Sequence, residues 1–338
     1  MIRNVMLFVF AMAIATTAHA QKVLNLFAWS EYVPDEVIQG FTNETGIKIN
    51  YEAYASNEEM LSKLLAAGAT YDLIQPSEYT VESLIKLKKL AELDHSKLPN
   101  LKNLGFEYAN LGHDPGLKYS VPWMAGSVGI VVNTERIKEP IKGYKDVFQD
   151  KYAGRIVVVN DNRELVSWAL DTLGLPINDC SPAALAKAKP IVGKWVKLIK
   201  VYDSDSPKTP LLNGDVDLGI VWSGEAATLY NQDHKFKYIL PDEGAHQFVD
   251  NLCIPANAPH KEAAMQFINY ILRPEVSKKI SDKFPYTNPN LEARKLLSKE
   301  QLDNPASYPK PQKMEIFRDI GKQAAAIDEM VTDLRSGG

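Results

Sequence analysis

Short apolar runs alternate with amphipathic helical stretches along the chain, and four of those runs break off into the same mixture of residues. Residues 23–28 (VLNLFA) lead into Trp29, Ser30, Glu31 and Tyr32, and residues 71–74 (YDLI) lead toward Ser77, Glu78 and Tyr79. Residues 155–159 (RIVVV) lead toward Asp161, Asn162, Arg163 and Glu164, and residues 218–221 (LGIV) lead into Trp222, Ser223, Gly224 and Glu225. Alternation of strand and helix favours parallel sheets covered by helices, an α/β class. In open sheets of that class ligands sit outside the carboxyl ends of the strands. Aromatic faces and carboxylates are therefore expected to gather at one place, a chemistry suited to an organic cation with an apolar stem.

The length of 338 residues exceeds what one core usually holds, so two domains are expected. Pro34 opens a helix that Gly46 ends. Ser56 with Glu59 three residues on reads as a capping box for a helix over 57–67, closed by Gly68. Residues 47–54 and 156–159 read as strands, and 164–173, 185–199, 263–272 and 312–334 as helices. No low-complexity linker separates the domains. Residues 121–126 and 249–255, each broken by glycine or proline, are candidate crossings between them; two plain strands within one sheet would look the same.

Residues 1–20 read as an export leader: Arg3, an almost wholly apolar stretch over 5–15, and Ala18 and Ala20 at cleavage spacing. The stretch is short for a membrane span. No cysteine follows it, which leaves a lipid anchor unsupported. The expected product starts near Gln21 and is soluble once exported. A net charge of −4 disfavours nucleic acid, which needs a concentrated basic face. Of the two cysteines, Cys253 lies in an apolar strand and Cys180 in a loop, and no disulfide is expected. No metal-ligand spacing, cofactor loop or catalytic motif is present, and the histidines at 95, 113, 234, 246 and 260 read as loop residues.

Each candidate has a plain alternative. One tryptophan alone is usually core; Trp29, Tyr32, Tyr79 and Trp222 at corresponding strand ends are more than that. Aromatic faces hold an ammonium group at roughly 0.5–2 kcal/mol per pair, and Phe248 adds another face. Trp123, Trp168 and Trp195 read as packing. Among the acids Glu31, Glu78, Asp161, Glu164, Glu225 and Asp250, any one is consistent with plain solvation, and Asp161 is well placed as a helix N-cap. A carboxylate among rings is costly to desolvate without a cation. Ser30, Ser77 and Ser204 fit either an amine or a turn.

In these segments the chain resembles the periplasmic spermidine/putrescine-binding proteins, the solute receptors of ABC-type polyamine importers. The likeness runs through 27–34 (FAWSEYVP), 41–48 (FTNETGIK), 71–77 (YDLIQPS), 161–164 (DNRE), 219–224 (GIVWSG) and 286–291 (YTNPNL). It implies a two-lobed α/β fold of the periplasmic binding protein type II kind, with 21–125 plus 251–295 as one lobe and 126–250 plus 296–338 as the other. It implies an aromatic box of Trp29, Tyr32, Trp222, Phe248 and Tyr286. Asp161, Glu164 and Asp250 would take ammonium groups, with Ser30, Ser77, Tyr79 and Ser204 as polar contacts. Phe248 and Glu225 match the putrescine-preferring type, the latter with a longer acid than the usual aspartate, whereas the sequence outside the box resembles the spermidine type, so the resemblance implies putrescine, spermidine or both as ligand. The glutamine of the spermidine type in the last helix is replaced near Thr332. The implied protein is a monomeric receptor, not an enzyme, that delivers polyamine to an inner-membrane permease without cofactor or metal. A receptor for another organic cation or an amino acid, and a secreted hydrolase using paired acids, are the alternatives.

Overall fold

The computed structural model describes residues 22–30, 32–66 and 68–337, so the expected leader and Glu31 lie outside the described residues. Ten strands run as β1 (Val23–Trp29), β2 (Lys48–Tyr54), β3 (Leu73–Ile74), β4 (Ser120–Asn133), β5 (Ile156–Val158), β6 (Ile199–Tyr202), β7 (Leu218–Trp222), β8 (Phe236–Ile239), β9 (Ala245–Cys253) and β10 (Met314–Glu315). Helices of nine or more residues are α1 (Asp35–Thr45), α2 (Asn57–Leu65), α3 (Glu78–Lys86), α4 (Asn162–Thr172), α5 (Pro182–Trp195), α6 (Ser223–Gln232), α7 (Lys261–Ile271), α8 (Pro274–Lys283) and α9 (Gln323–Ser336).

The strand order is β2-β1-β3-β9-β4-β7-β5-β6, with β8 on β4 and β10 on β9. β1 runs parallel to β2 and β3, while β5 runs parallel to β6 and β7. Between these two parallel halves lie β4 and β9, antiparallel to each other from Ser120 against Cys253 to Ser127 against Gln247. Beyond that point β4 leaves β9 and pairs with β7 and β8. Every residue of β4 is buried. The candidate crossings over 121–126 and 249–255 therefore answer to both readings: they are neighbouring strands of one sheet and also the join between its halves. The molecule is a two-lobed α/β fold. α1, α7 and α8 pack around the β1 half, and α9 packs on α4 and α5 of the other.

Local signals explain most boundaries. Pro34 caps α1, and Gly46 ends it in the left-handed region at φ 71°, where a side chain is disfavoured. Ser56 Oγ accepts from Glu59 N at 3.1 Å, but Glu59 reaches back to Ala55 N rather than to the capping residue. That helix ends at Leu65, short of the expected 67. Two expectations are corrected. The helix over 185–199 stops at Trp195, and Ile199 starts β6; buried Leu198 continues the apolar spacing past the true end. The helix over 312–334 begins only at Gln323, because Met314 and Glu315 pair with β9 and Ile316 O accepts from Asn178 Nδ2. Trp123, Trp168 and Trp195 are buried as packing residues. Cys180 and Cys253 are both buried and free. Among the described residues no helix is long and apolar enough to cross a membrane.

Candidate binding site

A cleft of about 670 Å³ opens where the strand ends of the two halves face each other, and all thirteen expected ligand-binding residues line it. The end of β1 supplies Trp29, Ser30 and Tyr32. The turn from β3 into α3 supplies Ser77 and Tyr79, and the turn from β5 into α4 supplies Asp161 and Glu164. Ser204 follows β6, Trp222 ends β7 and Glu225 sits in the first turn of α6. Tyr286 follows α8, whereas Phe248 and Asp250 stand on β9 itself.

The rings form a connected wall. Trp29 and Tyr32 have centroids 6.4 Å apart, Tyr32 and Tyr286 5.2 Å, Tyr286 and Phe248 6.0 Å, and Phe248 and Trp222 5.8 Å, the last two pairs edge-to-face. Two glycines permit this wall. A Cβ on Gly126 would lie 2.4 Å from Phe248 Cζ, and one on Gly224 would lie 2.3 Å from Tyr286 Cε2. Trp222 Nε1 donates to the backbone oxygen of Ser204 at 3.0 Å, which fixes the indole plane. The Ser204 carbonyl thereby anchors the wall.

The acids fall into two groups. Asp250 is 2% exposed and accepts from the hydroxyls of Ser77 at 2.7 Å and Tyr32 at 3.0 Å. Burial pushes its carboxyl up to about 7, against the pull of the Ser77 hydroxyl and with a further push from Glu78. Asp161 caps α4, accepting from the backbone N–H groups of Arg163 at 2.8 Å and Glu164 at 3.0 Å. Burial, then Glu164 and Glu58, push it up to about 7 as well. Capping and ligand binding coexist here, because a carboxylate has lone pairs to spare.

Glu164 and Glu225 differ. Glu164 Oε1 lies 2.5 Å from His246 Nδ1, and its Oε2 accepts from Trp168 Nε1 at 3.1 Å. The other His246 nitrogen lies 3.3 Å from Glu78 Oε1. Burial alone would lower the imidazole, but the Glu164 and Glu78 carboxylates override it and raise it to about 9, so it is charged at neutral pH. Glu225 receives the Lys208 ammonium at 2.9 Å from each oxygen.

His246 is therefore not the loop residue expected from sequence: it lies in β9, 4% exposed, stacked 3.7 Å from Phe317. A signal for it existed, since residues 246, 248 and 250 share one face of a strand. Asn57 was also missed. Its Nδ2 donates to Ser77 Oγ at 3.1 Å and Tyr79 Oη at 2.9 Å, orienting both. Arg163 covers the ring of Tyr79 at 4.9 Å. Ser30 donates to Asp205 rather than standing open. Glu78 is fully buried, and Val249 N donates to it at 2.8 Å, so it is not a solvated residue. The last helix lines the cleft with Ala324, Ile327, Asp328 and Arg335, whereas Thr332 is exposed and outside the lining. Among the described residues no group of three or more metal-ligating side chains is placed to hold an ion.

Two lobes joined by paired strands, with a ring-walled acidic cleft between them, define the class of hinged solute receptors. The chain belongs to the bacterial extracellular solute-binding protein family, whose model matches residues 36–310. It is 36% identical over 329 residues to the spermidine/putrescine-binding periplasmic protein of Salmonella typhimurium, covering 95% of this chain and 94% of that one. It is 31% identical over 337 residues to the putrescine-binding periplasmic protein PotF of Escherichia coli, covering 88% and 86%. Among solved structures, a putative spermidine/putrescine ABC transporter protein from Listeria monocytogenes superposes with a TM-score of 0.90 at 29% identity, over 94% of this chain and all of that one.

Proposed function

We propose that this chain is a periplasmic receptor that captures a polyamine, putrescine or spermidine, and delivers it to an ABC transporter permease in the inner membrane. The observation that carries this reading is Asp250: a carboxylate 2% exposed, among aromatic rings, whose partners are two hydroxyls. Such a group is costly in its charged form until a cation reaches it. Asp161 repeats the arrangement across the cleft with backbone donors. The ring wall would lie along the methylenes between the amines. A micromolar complex needs about 8 kcal/mol net, within reach of two desolvated charge pairs and several cation–ring contacts less the cost of ordering ligand and lobes.

In this reading the lobes are residues 21–125 with 251–295 and 126–250 with 296–338, closing by bending where β4 and β9 join them. The leader is removed near Ala20 and the receptor works as a monomer. Calorimetric titration of ligand-stripped protein with putrescine, cadaverine, spermidine and spermine tests it. Micromolar or tighter binding of at least one amine is expected, and absence of heat and of thermal shift with all four would overturn it.

A further inference from the structure

Lys208 stands outside the ring wall and opens the short helix Lys208–Leu212 directly after Pro207. Its ammonium meets both oxygens of Glu225 at 2.9 Å and the Ser206 hydroxyl at 3.2 Å. The two charged side chains are 18% and 10% exposed, which sets this pair apart from the surface ion pairs of the molecule. A surface pair contributes little. In an enclosed pair each charge is screened less by water, and removing one partner costs more than at the surface.

Glu225 also lines the cleft, in the first turn of the helix that follows Trp222. The place beside its carboxylate that an incoming ammonium group would take is thus held by an ammonium the protein brings itself. We propose that Lys208 is a specificity-determining residue, an internal counter-ion that withdraws Glu225 from the ligand and biases the cleft toward amines carrying two charges over amines carrying three. A third ammonium directed to this end finds a neutralised carboxylate and a like charge behind it, the repulsive element that discrimination between related ligands requires. Asp250 and Asp161, whose direct hydrogen-bond partners are hydroxyl and backbone donors, keep two places for ligand charge. This inference rests on the polyamine reading above.

The test is calorimetry with putrescine and spermidine on wild type, Lys208→Met, Lys208→Gln and the double variant Lys208→Met with Glu225→Gln, each checked for a cooperative thermal melt. Wild type is expected to hold putrescine more tightly. Removing the lysine charge in either single variant should shift the ratio of the two dissociation constants toward spermidine by about tenfold. Adding Glu225→Gln should return the ratio to the wild-type value. Wild type that prefers spermidine, or a ratio that moves less than about twofold in both folded single variants, would overturn the role of Lys208. In those cases amine binding itself stands. Wild type that binds neither amine would instead remove the polyamine reading and this inference with it.

Discussion

Glu164 and Glu225 line the same cleft as Asp250 and Asp161, yet the first two make direct ion pairs with cations of the protein, while the direct partners of the last two are hydroxyl and backbone N–H donors. The difference separates two tasks that one kind of residue performs. His246 and Lys208 balance their carboxylates when the chain folds, so those acids help hold the cleft together. Asp250 and Asp161 are held in place by hydroxyl and amide donors that carry no charge, and at Asp161 the Arg163 guanidinium only partly offsets the push of burial, Glu164 and Glu58. Affinity for a cation is then concentrated at two places rather than spread over every acid in view.

The largest test breaks the first group. His246→Leu leaves Glu164 and Glu78 buried with their shared cation gone, and removing one partner from such a cluster costs about 3–5 kcal/mol. Thermal or urea unfolding should show a loss of that size, and a loss under about 1 kcal/mol would show that His246 does not hold this cluster. The histidine, raised to about 9, contributes fully below its unfolded value of about 6.5, and that contribution is lost as the pH rises through about 9. The gap between wild type and variant should therefore narrow toward high pH.

Next in size is Asp250→Asn, which removes a charge from the second group. Truncating one side of a buried charge pair costs about 2–5 kcal/mol, so polyamine affinity should fall at least about thirtyfold by calorimetry. Stability of the ligand-free protein should respond in the other direction. A carboxyl raised to about 7 holds its proton more tightly when folded, so its contribution is present below about 4 and lost as the pH rises through about 7. The asparagine variant should lack that decline. Equal affinity in variant and wild type would place the ligand charge elsewhere.

How much of this was legible in the sequence follows from what each signal reports. The strand-end pattern marked Trp29, Tyr32 and Trp222 of the wall, because a residue just past a strand end in an α/β sheet points toward the cleft whatever its partner. Phe248 stands within β9 and Tyr286 follows α8, so neither carries that signal, and Tyr286 was legible only through the resemblance. Chain breaks at Pro34, Gly46 and Ser56 located helix ends, since these act locally, the first two through backbone geometry and Ser56 through a side-chain cap three residues away. Charge pairing was not legible. Lys208 and Glu225 are 17 positions apart and Glu164 and His246 82 apart, and nothing in local spacing says that they meet. The segment over 312–322 was misread for a related reason: its apolar spacing fits a helix, but a strand contact to β9 decides its backbone.

A third test reads both free acids together. Asp250 and Asp161, each raised to about 7, carry protons at pH 6, and a bound ammonium favours their ionised forms. Affinity should be level above about pH 8 and fall by up to tenfold per unit for each group below 7, with proton release that differs between buffers of different ionisation enthalpy. A flat affinity between pH 6 and 8 would mean that neither acid changes its charge on binding.

The smallest expected effect belongs to the wall. Trp222 is held edge-on to Phe248, and its indole is pinned through Nε1 to Ser204 O, so its face is oriented before any ligand arrives. Trp222→Ala removes one aromatic face and its apolar contact, worth roughly 0.5–2 kcal/mol, and should weaken binding by about tenfold with the pH profile unchanged. Trp222→Phe keeps a face but loses the donor to Ser204, so it should fall between the two. Should the alanine variant lose as much as Asp250→Asn, the rings and not the unpaired carboxylates would dominate recognition, and the contrast between answered and unanswered acids would lose its bearing on affinity.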